Sequence, residues 1–241
     1  VGRVDGDMSE LLVITGASKG IGLATARLFL NRGAKVMNLA RTPCPLPGVH
    51  HLRADLATEG FLRPHEEALS RAAEESDRVV LVHNAATMAT DEAGRVDEAA
   101  LAVSLAVGVV APALLNRVLV PRMGRGSAVV YVGSTLSEKA VAGLFSYVTV
   151  KHAVVGMMRA TCQDLLGRGV HTVCVCPGVT DTEMLRQRAA GQPEVLEALR
   201  AMTGEGRLIE PEEIAGVIAS AADQPVLNGA VLHANLGQRE R

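Results

Sequence analysis

Tyr147 and Lys151 are four residues apart, a spacing that puts a phenol and an ammonium on one face of a helix. Ser134 precedes Tyr147 by 13 residues and lies just after the apolar run Ala128 to Val132. A free tyrosine, with a pKa of about 10, is too weak an acid for easy two-way proton traffic near neutrality. A neighbouring ammonium favours the phenolate and lowers that value. Such a pair can give a proton to the alkoxide formed when a carbonyl is reduced, or take one from an alcohol. A serine hydroxyl beside it can hydrogen-bond the substrate oxygen and stabilise charge as it develops.

A second group of residues could hold phosphates. Thr15-Gly16-Ala17-Ser18-Lys19-Gly20-Ile21-Gly22 follows the apolar run from Leu11. It leads into Ile21 to Arg32, which has helical spacing and is closed by Gly33. In a chain with 24 glycines such a pattern also arises by chance, so its place between a strand and a helix is what carries weight. There, glycines let backbone approach a pyrophosphate, and the helix start offers unpaired N–H groups and the positive end of its dipole.

These residues need a scaffold. Leu11 to Thr15, Lys35 to Ala40, Val49 to Leu52, Arg78 to His83, Ala128 to Val132, Val170 to Cys176 and Val231 to His233 read as strands. Helical segments alternate with them: within Thr58 to Ser76, around Ala99 to Met123, Tyr147 to Leu166, and Glu212 to Ala222 behind Pro211. Strands apolar on both faces and alternating with helices predict a single-domain α/β fold. It is Rossmann-like, a doubly wound parallel sheet of about seven strands with helices on both faces. Ser134, just after the fifth strand, then falls at the carboxyl edge of the sheet, where ligands bind in such folds. Residues 1–10 read as a polar tail and 11–241 as the domain.

In order along the chain, the motifs resemble those of the short-chain dehydrogenase/reductase family, from Leu11 to Gly237. The glycine turn has that family's TGxxxGxG spacing, not GxGxxG. Asp55-Leu56 looks like its adenine-contacting pair, and Asn84-Ala85-Ala86 like its NAG motif with Ala86 for Gly. Pro177-Gly178-Val179-Thr180-Asp181-Thr182 matches its PGxxxT stretch, and Asn228-Gly229 with Val231 to Gly237 resembles its C-terminal strand. The resemblance makes Ser134, Tyr147 and Lys151 the catalytic group; the offset from Ser137 to Tyr147 does not fit. It implies cofactor contacts at Gly16, Ser18, Lys19, Gly20, Ile21, Gly22, Arg41, Asp55, Leu56, Asn84, Ala85, Ala86, Tyr147, Lys151, Pro177, Gly178, Val179 and Thr182. Lys151 would hold the ribose hydroxyls and feed a proton relay, and Thr182 would hold the carboxamide. In many members an Asn on the long helix positions a water in that relay. Here Ser104 stands in its place, with a shorter side chain and fewer donors. Asn116 lies twelve residues further on, roughly 18 Å along a helix.

Cofactor choice follows from charge. An Asp or Glu at the end of the second strand would bind a ribose 2′-OH and repel a 2′-phosphate; here Ala40 is followed by Arg41. Arg41 and Lys19 can pair with that phosphate, so NADP(H) is expected over NAD(H). The leading reading is an NADP(H)-dependent carbonyl reductase or alcohol dehydrogenase. The competing one, motivated by Ser104 and Ala86, is a catalytically weak NADP(H)-binding regulator or sensor.

Composition bounds the rest. Hydrophobic residues make up 48% and charged residues 21%, and the net charge of −2 leaves no basic excess for nucleic acid. The four cysteines lack CxxC spacing and read as buried thiols in a reducing, cytoplasmic setting. No apolar signal core is seen near residue 1, and no histidine spacing suggests a metal site. The uncharged stretch Ala99 to Asn116 approaches a membrane span in length, but Ser104, Gly108, Pro112 and Asn116 interrupt it. It is expected to be a helix buried in protein, against another subunit of a homodimer or homotetramer. Glu183 to Arg207, with Gly191, Pro193, Gly204 and Gly206, is expected to be a mobile substrate lid. Met184, Leu185, Leu196, Leu199 and Met202 would line it around a small-molecule carbonyl or alcohol.

Overall fold

Runs of Val, Leu and Ile without internal charge suit strands covered on both faces. The computed structural model describes residues 8–238. Its strands are β1 (Glu10–Thr15), β2 (Lys35–Ala40), β3 (Val49–Arg53), β4 (Arg78–His83), β5 (Ala128–Val132), β6 (His171–Pro177) and β7 (Val231–Ala234). They form one parallel sheet in the order β3-β2-β1-β4-β5-β6-β7. The reversal of direction between β1 and β4 opens a crevice at their carboxyl ends. Of the expected polar tail, residues 1–7 lie outside the described residues, and Glu10 belongs to β1.

The helices are α1 (Gly20–Asn31), α2 (Glu66–Glu74), α3 (Glu98–Leu105), α4 (Ala111–Leu119), α5 (Phe145–Asp164), α6 (Glu183–Arg188), α7 (Pro193–Ala201) and α8 (Pro211–Asp223). Alternate residues of each strand serve opposite cores. Leu11, Val13 and Leu81 pack with Leu115 of α4 and Met158 of α5. Leu12, Ile14 and Val80 pack with Phe29 of α1 and Ile218 of α8.

Two segments differ from expectation. The long apolar helix is not uniform: a π-helical turn over Ala106–Val110 separates α3 from α4. Gly108 in that turn touches α5 so closely that a Cβ there would collide with Val150. Pro112, which cannot donate a hydrogen bond, follows immediately. This helical run is long and apolar enough to cross a membrane, yet Ala111, Leu115 and Leu119 are fully buried against the sheet. The expected lid holds α6 and α7, because Thr182 caps the first and Pro193 starts the second.

One row of polar side chains ties β4, β5, α4 and α5 together. Thr161 on α5 donates to the Met157 carbonyl, which can only accept, so the Thr161 oxygen must receive the Tyr131 hydroxyl proton. Tyr131 in turn accepts from Asn116 Nδ2 at 2.6 Å. Asn116 Oδ1 therefore faces His83 Nε2 at 2.9 Å, and that nitrogen carries the imidazole proton. Tyr131 is fully buried and its phenol stays protonated, its pKa raised by burial.

Burial also lowers the pKa of His83 from 6.5 to about 4, against the opposing hydrogen bond with Asn116. Burial likewise lowers the pKa of His171, which bonds the Ala221 carbonyl at 3.0 Å. A depressed folded-state pKa contributes stability that is whole above about pH 6.5 and lost as pH falls toward 4. Denaturation at pH 7 and pH 4.5 should show His83→Asn losing about 2 kcal/mol less than the parent over this window. Equal losses would contradict the burial cost assigned to His83.

Candidate active site

The glycine turn is held from below by buried polar groups. Thr15 Oγ1 accepts from the backbone amides of Asn84 at 3.1 Å and Ala85 at 3.0 Å. Asn84 Nδ2 donates back to the carbonyls of Thr15 at 2.9 Å and Gly16 at 3.1 Å. Asn38 of β2, fully buried, accepts from the Ala17 amide at 2.9 Å. Gly16 and Gly20 have φ of +74° and +54°, in the left-handed region that favours glycine. These ties fix the turn while leaving the start of α1 free. Its N-cap residue, Lys19, makes no side-chain capping bond, and its first turn has no acidic residue. An uncapped helix start beside a glycine cradle is suited to a dinucleotide pyrophosphate.

Above the turn lies a cavity of about 750 Å³. Every sequence-predicted cofactor residue lines it, from Arg41, Asp55 and Leu56 through the turn to Asn84, Ala85, Ala86, Pro177, Gly178, Val179 and Thr182. Ser134, Tyr147 and Lys151 line it too. Ser104 does not; it lines a smaller adjoining cavity. Met184, Leu185, Leu199 and Met202 form an apolar region, where Val195 rather than Leu196 contributes from α7. The Thr182 hydroxyl also accepts from the Leu185 amide at 3.4 Å.

Each catalytic candidate is positioned by a different device. Ser134 opens a one-turn 3₁₀ helix, where its Oγ accepts from the Leu136 amide at 3.1 Å, which leaves its own proton available. Ser137 accepts from the Ser134 amide at 3.1 Å and is buried outside the cavity, so it braces Ser134. Gly133 lets β5 end there: a Cβ would stand 2.7 Å from Cys176 Sγ and 2.8 Å from Cys174 Sγ. Of the four cysteines expected to be buried, these two and Cys162 are, whereas Cys44, in the loop after β2, is only partly covered. Lys151 is only 4% exposed and donates to the Val132 carbonyl at 2.8 Å. Its Nζ lies 5.6 Å from the centroid of the half-buried Tyr147 ring.

The start of α5 is clamped by a residue that sequence reading missed. Asp91, buried, accepts from the Ser146 amide at 3.0 Å and from the Ser146 hydroxyl. Its carbonyl accepts from the Phe145 amide at 3.2 Å. This fixes the backbone one residue before Tyr147. Asn38 and the bracing role of Thr15, which the sequence shows only as the first residue of the glycine turn, also escape, since strand residues in apolar runs read as packing.

The sheet order, the cradle and the Ser–Tyr–Lys group define a Rossmann-type oxidoreductase. The sequence profile of the short chain dehydrogenase family matches residues 10–193. The chain is 31% identical to 2-(R)-hydroxypropyl-CoM dehydrogenase of Xanthobacter autotrophicus, over 93% of this chain and 96% of that one. It is 29% identical to a 3-oxoacyl-acyl-carrier-protein reductase of Vibrio cholerae, over 95% and 96%. The structure of the angucycline C-6 ketoreductase LanV with bound NADP superposes with a TM-score of 0.83, at 26% identity and 96% coverage of both chains. The protein belongs to the short-chain dehydrogenase family and is an oxidoreductase acting on CH–OH groups with NAD(P).

In Gly22→Ala, the added methyl would collide with the Gly16 carbonyl oxygen and stand 2.6 Å from Asn84 Nδ2. Backbone cannot yield as a side chain would, so a stability loss of about 1–3 kcal/mol is expected. Fluorescence titration should show dinucleotide affinity reduced at least about tenfold. Undiminished binding would show that this turn is not the cradle.

Proposed function

We propose that the protein is an NADP(H)-dependent oxidoreductase that interconverts a carbonyl and a secondary alcohol on a small or medium apolar substrate. The observation that carries this reading is the convergence of Ser134, Tyr147 and Lys151 on the cavity that the uncapped start of α1 adjoins. The nicotinamide, when bound, supplies or accepts a hydride. Tyr147 donates a proton to the substrate oxygen in reduction and accepts it in oxidation. The Lys151 ammonium stands beside the Tyr147 ring, 5.6 Å from its centroid, and the Ser134 hydroxyl holds the substrate oxygen.

Preference for NADP(H) is supported by charge. Arg41 and Lys19 both line the cavity and are exposed, and β2 ends in Ala40 without a carboxylate. The bound NADP of the similar ketoreductase LanV agrees with it. The apolar region formed by Met184, Leu185, Val195, Leu199 and Met202 supports an apolar substrate. Self-association as a homodimer or homotetramer is supported by Val103, Val110 and Phe145, which are 42%, 50% and 41% exposed.

Two measurements test the reading. Tyr147→Phe should lower kcat by about 10²–10⁴ on any ketone or alcohol the parent turns over, with dinucleotide affinity retained. An intact rate would overturn the assignment of Tyr147. The parent should bind NADPH more tightly than NADH, and Arg41→Ala should narrow that gap by about tenfold through loss of a charge-assisted hydrogen bond. Equal parental affinities would refute the preference.

A further inference from the structure

The smaller cavity, of about 20 Å³, has room for about one water. Lys151 and Tyr147 of α5 line it, together with Ser104, Thr87, Gly108 and His83. His83 is 5% exposed, and no group among the described residues bonds its Nδ1. The row of hydrogen bonds from Met157 to Asn116 puts the imidazole proton on Nε2, so Nδ1 is a bare acceptor. Burial keeps the ring neutral near pH 7. A neutral imidazole with one nitrogen spoken for can therefore only receive a proton donor at Nδ1.

The other polar groups on the cavity wall are complementary to it. The Lys151 ammonium has three N–H donors, one of which goes to the Val132 carbonyl. Ser104 donates its only proton to the Ala100 carbonyl at 2.9 Å and accepts from Thr87 at 3.0 Å, so toward the cavity it has only a lone pair. A water there would accept from Lys151 and donate to His83 Nδ1 and Ser104 Oγ, the two to four partners an internal water needs.

We propose that this cavity holds one ordered water joining the Lys151 ammonium to His83 Nδ1, which makes His83 a positioning residue for the Tyr147–Lys151 pair. An acceptor that orients the water thus comes from the end of β4, and Ser104 on α3 supplies the second. Asn116, which does not line this cavity, takes part by holding the imidazole in one tautomer. The water gives the buried Lys151 Nζ a partner besides the Val132 carbonyl, next to the Tyr147 phenol. The catalytic part of this proposal rests on the function proposed above; the water site does not.

Two variants separate positioning from packing. Leu at 83 puts a methyl where Nδ1 stands, whereas Asn at 83 puts its Oδ1 there. In crystals grown with NADP⁺, the parent should show a solvent peak within hydrogen-bond distance of both Lys151 Nζ and His83 Nδ1. His83→Leu should lose that peak and lower kcat about tenfold, with KM and dinucleotide Kd retained. His83→Asn should keep the peak and recover most of the rate. A parental map without solvent on Nδ1, a parental rate in His83→Leu, or an equal loss in His83→Asn would each overturn the proposal. If no carbonyl or alcohol is turned over, the function proposed above fails, and the maps still decide the water site. If His83→Leu does not fold, the parental and His83→Asn maps decide it.

Discussion

An ammonium taken out of water must meet acceptors or give up its proton. Lys151 is held under that constraint, nearly unexposed, with the Val132 carbonyl as its protein acceptor. That carbonyl belongs to the last residue of β5, so the cation is tied to the sheet edge from which Ser134 emerges. The hydrogen bond therefore sets the distance between α5 and the sheet. Tyr147, one turn earlier on the same helix, is carried to the cavity wall by the same contact. Asp91 completes the restraint at the start of α5, where two oxygens of one buried carboxylate bind the amide and hydroxyl of Ser146. A helix fixed at its first turn and by a buried cation has little freedom to shift its phenol.

The phosphate side is built on the opposite logic. The glycine turn is braced by Thr15, Asn38 and Asn84, all aimed at backbone groups beneath it. No side chain caps the start of α1. Buried polar side chains thus take up the inward-facing groups, and the outward-facing helix start keeps its donors for a ligand. Rigid support and unspent donors are the two requirements for binding an anion without reorganisation.

Much of this was legible because it is local. Strands β2, β4 and β5 were read to the residue, since runs such as Val79 to Val82 are apolar on both faces and end sharply in charge or glycine. Tyr147 and Lys151 were legible from helical spacing, and Ser134 from its place after a strand. What escaped depends on partners far apart in sequence. Asp91 and Ser146 are 55 residues apart, and His83 and Asn116 are 33 apart. The π turn at Ala106–Val110 escaped because apolar periodicity reports a helix but not a one-residue change in its winding. The helices α6 and α7 within the expected lid escaped because the glycines of that segment sit in the turns around them, at Gly191 and Gly206.

The row from His83 to Met157 has one further property. Tyr131 and Thr161 each carry a single mobile hydrogen, and the row ends on a carbonyl that has none to return. No link can turn round alone without leaving two donors or two acceptors face to face. Its orientation is all-or-none, and a threonine on α5 thereby dictates which nitrogen a ring on β4 leaves open.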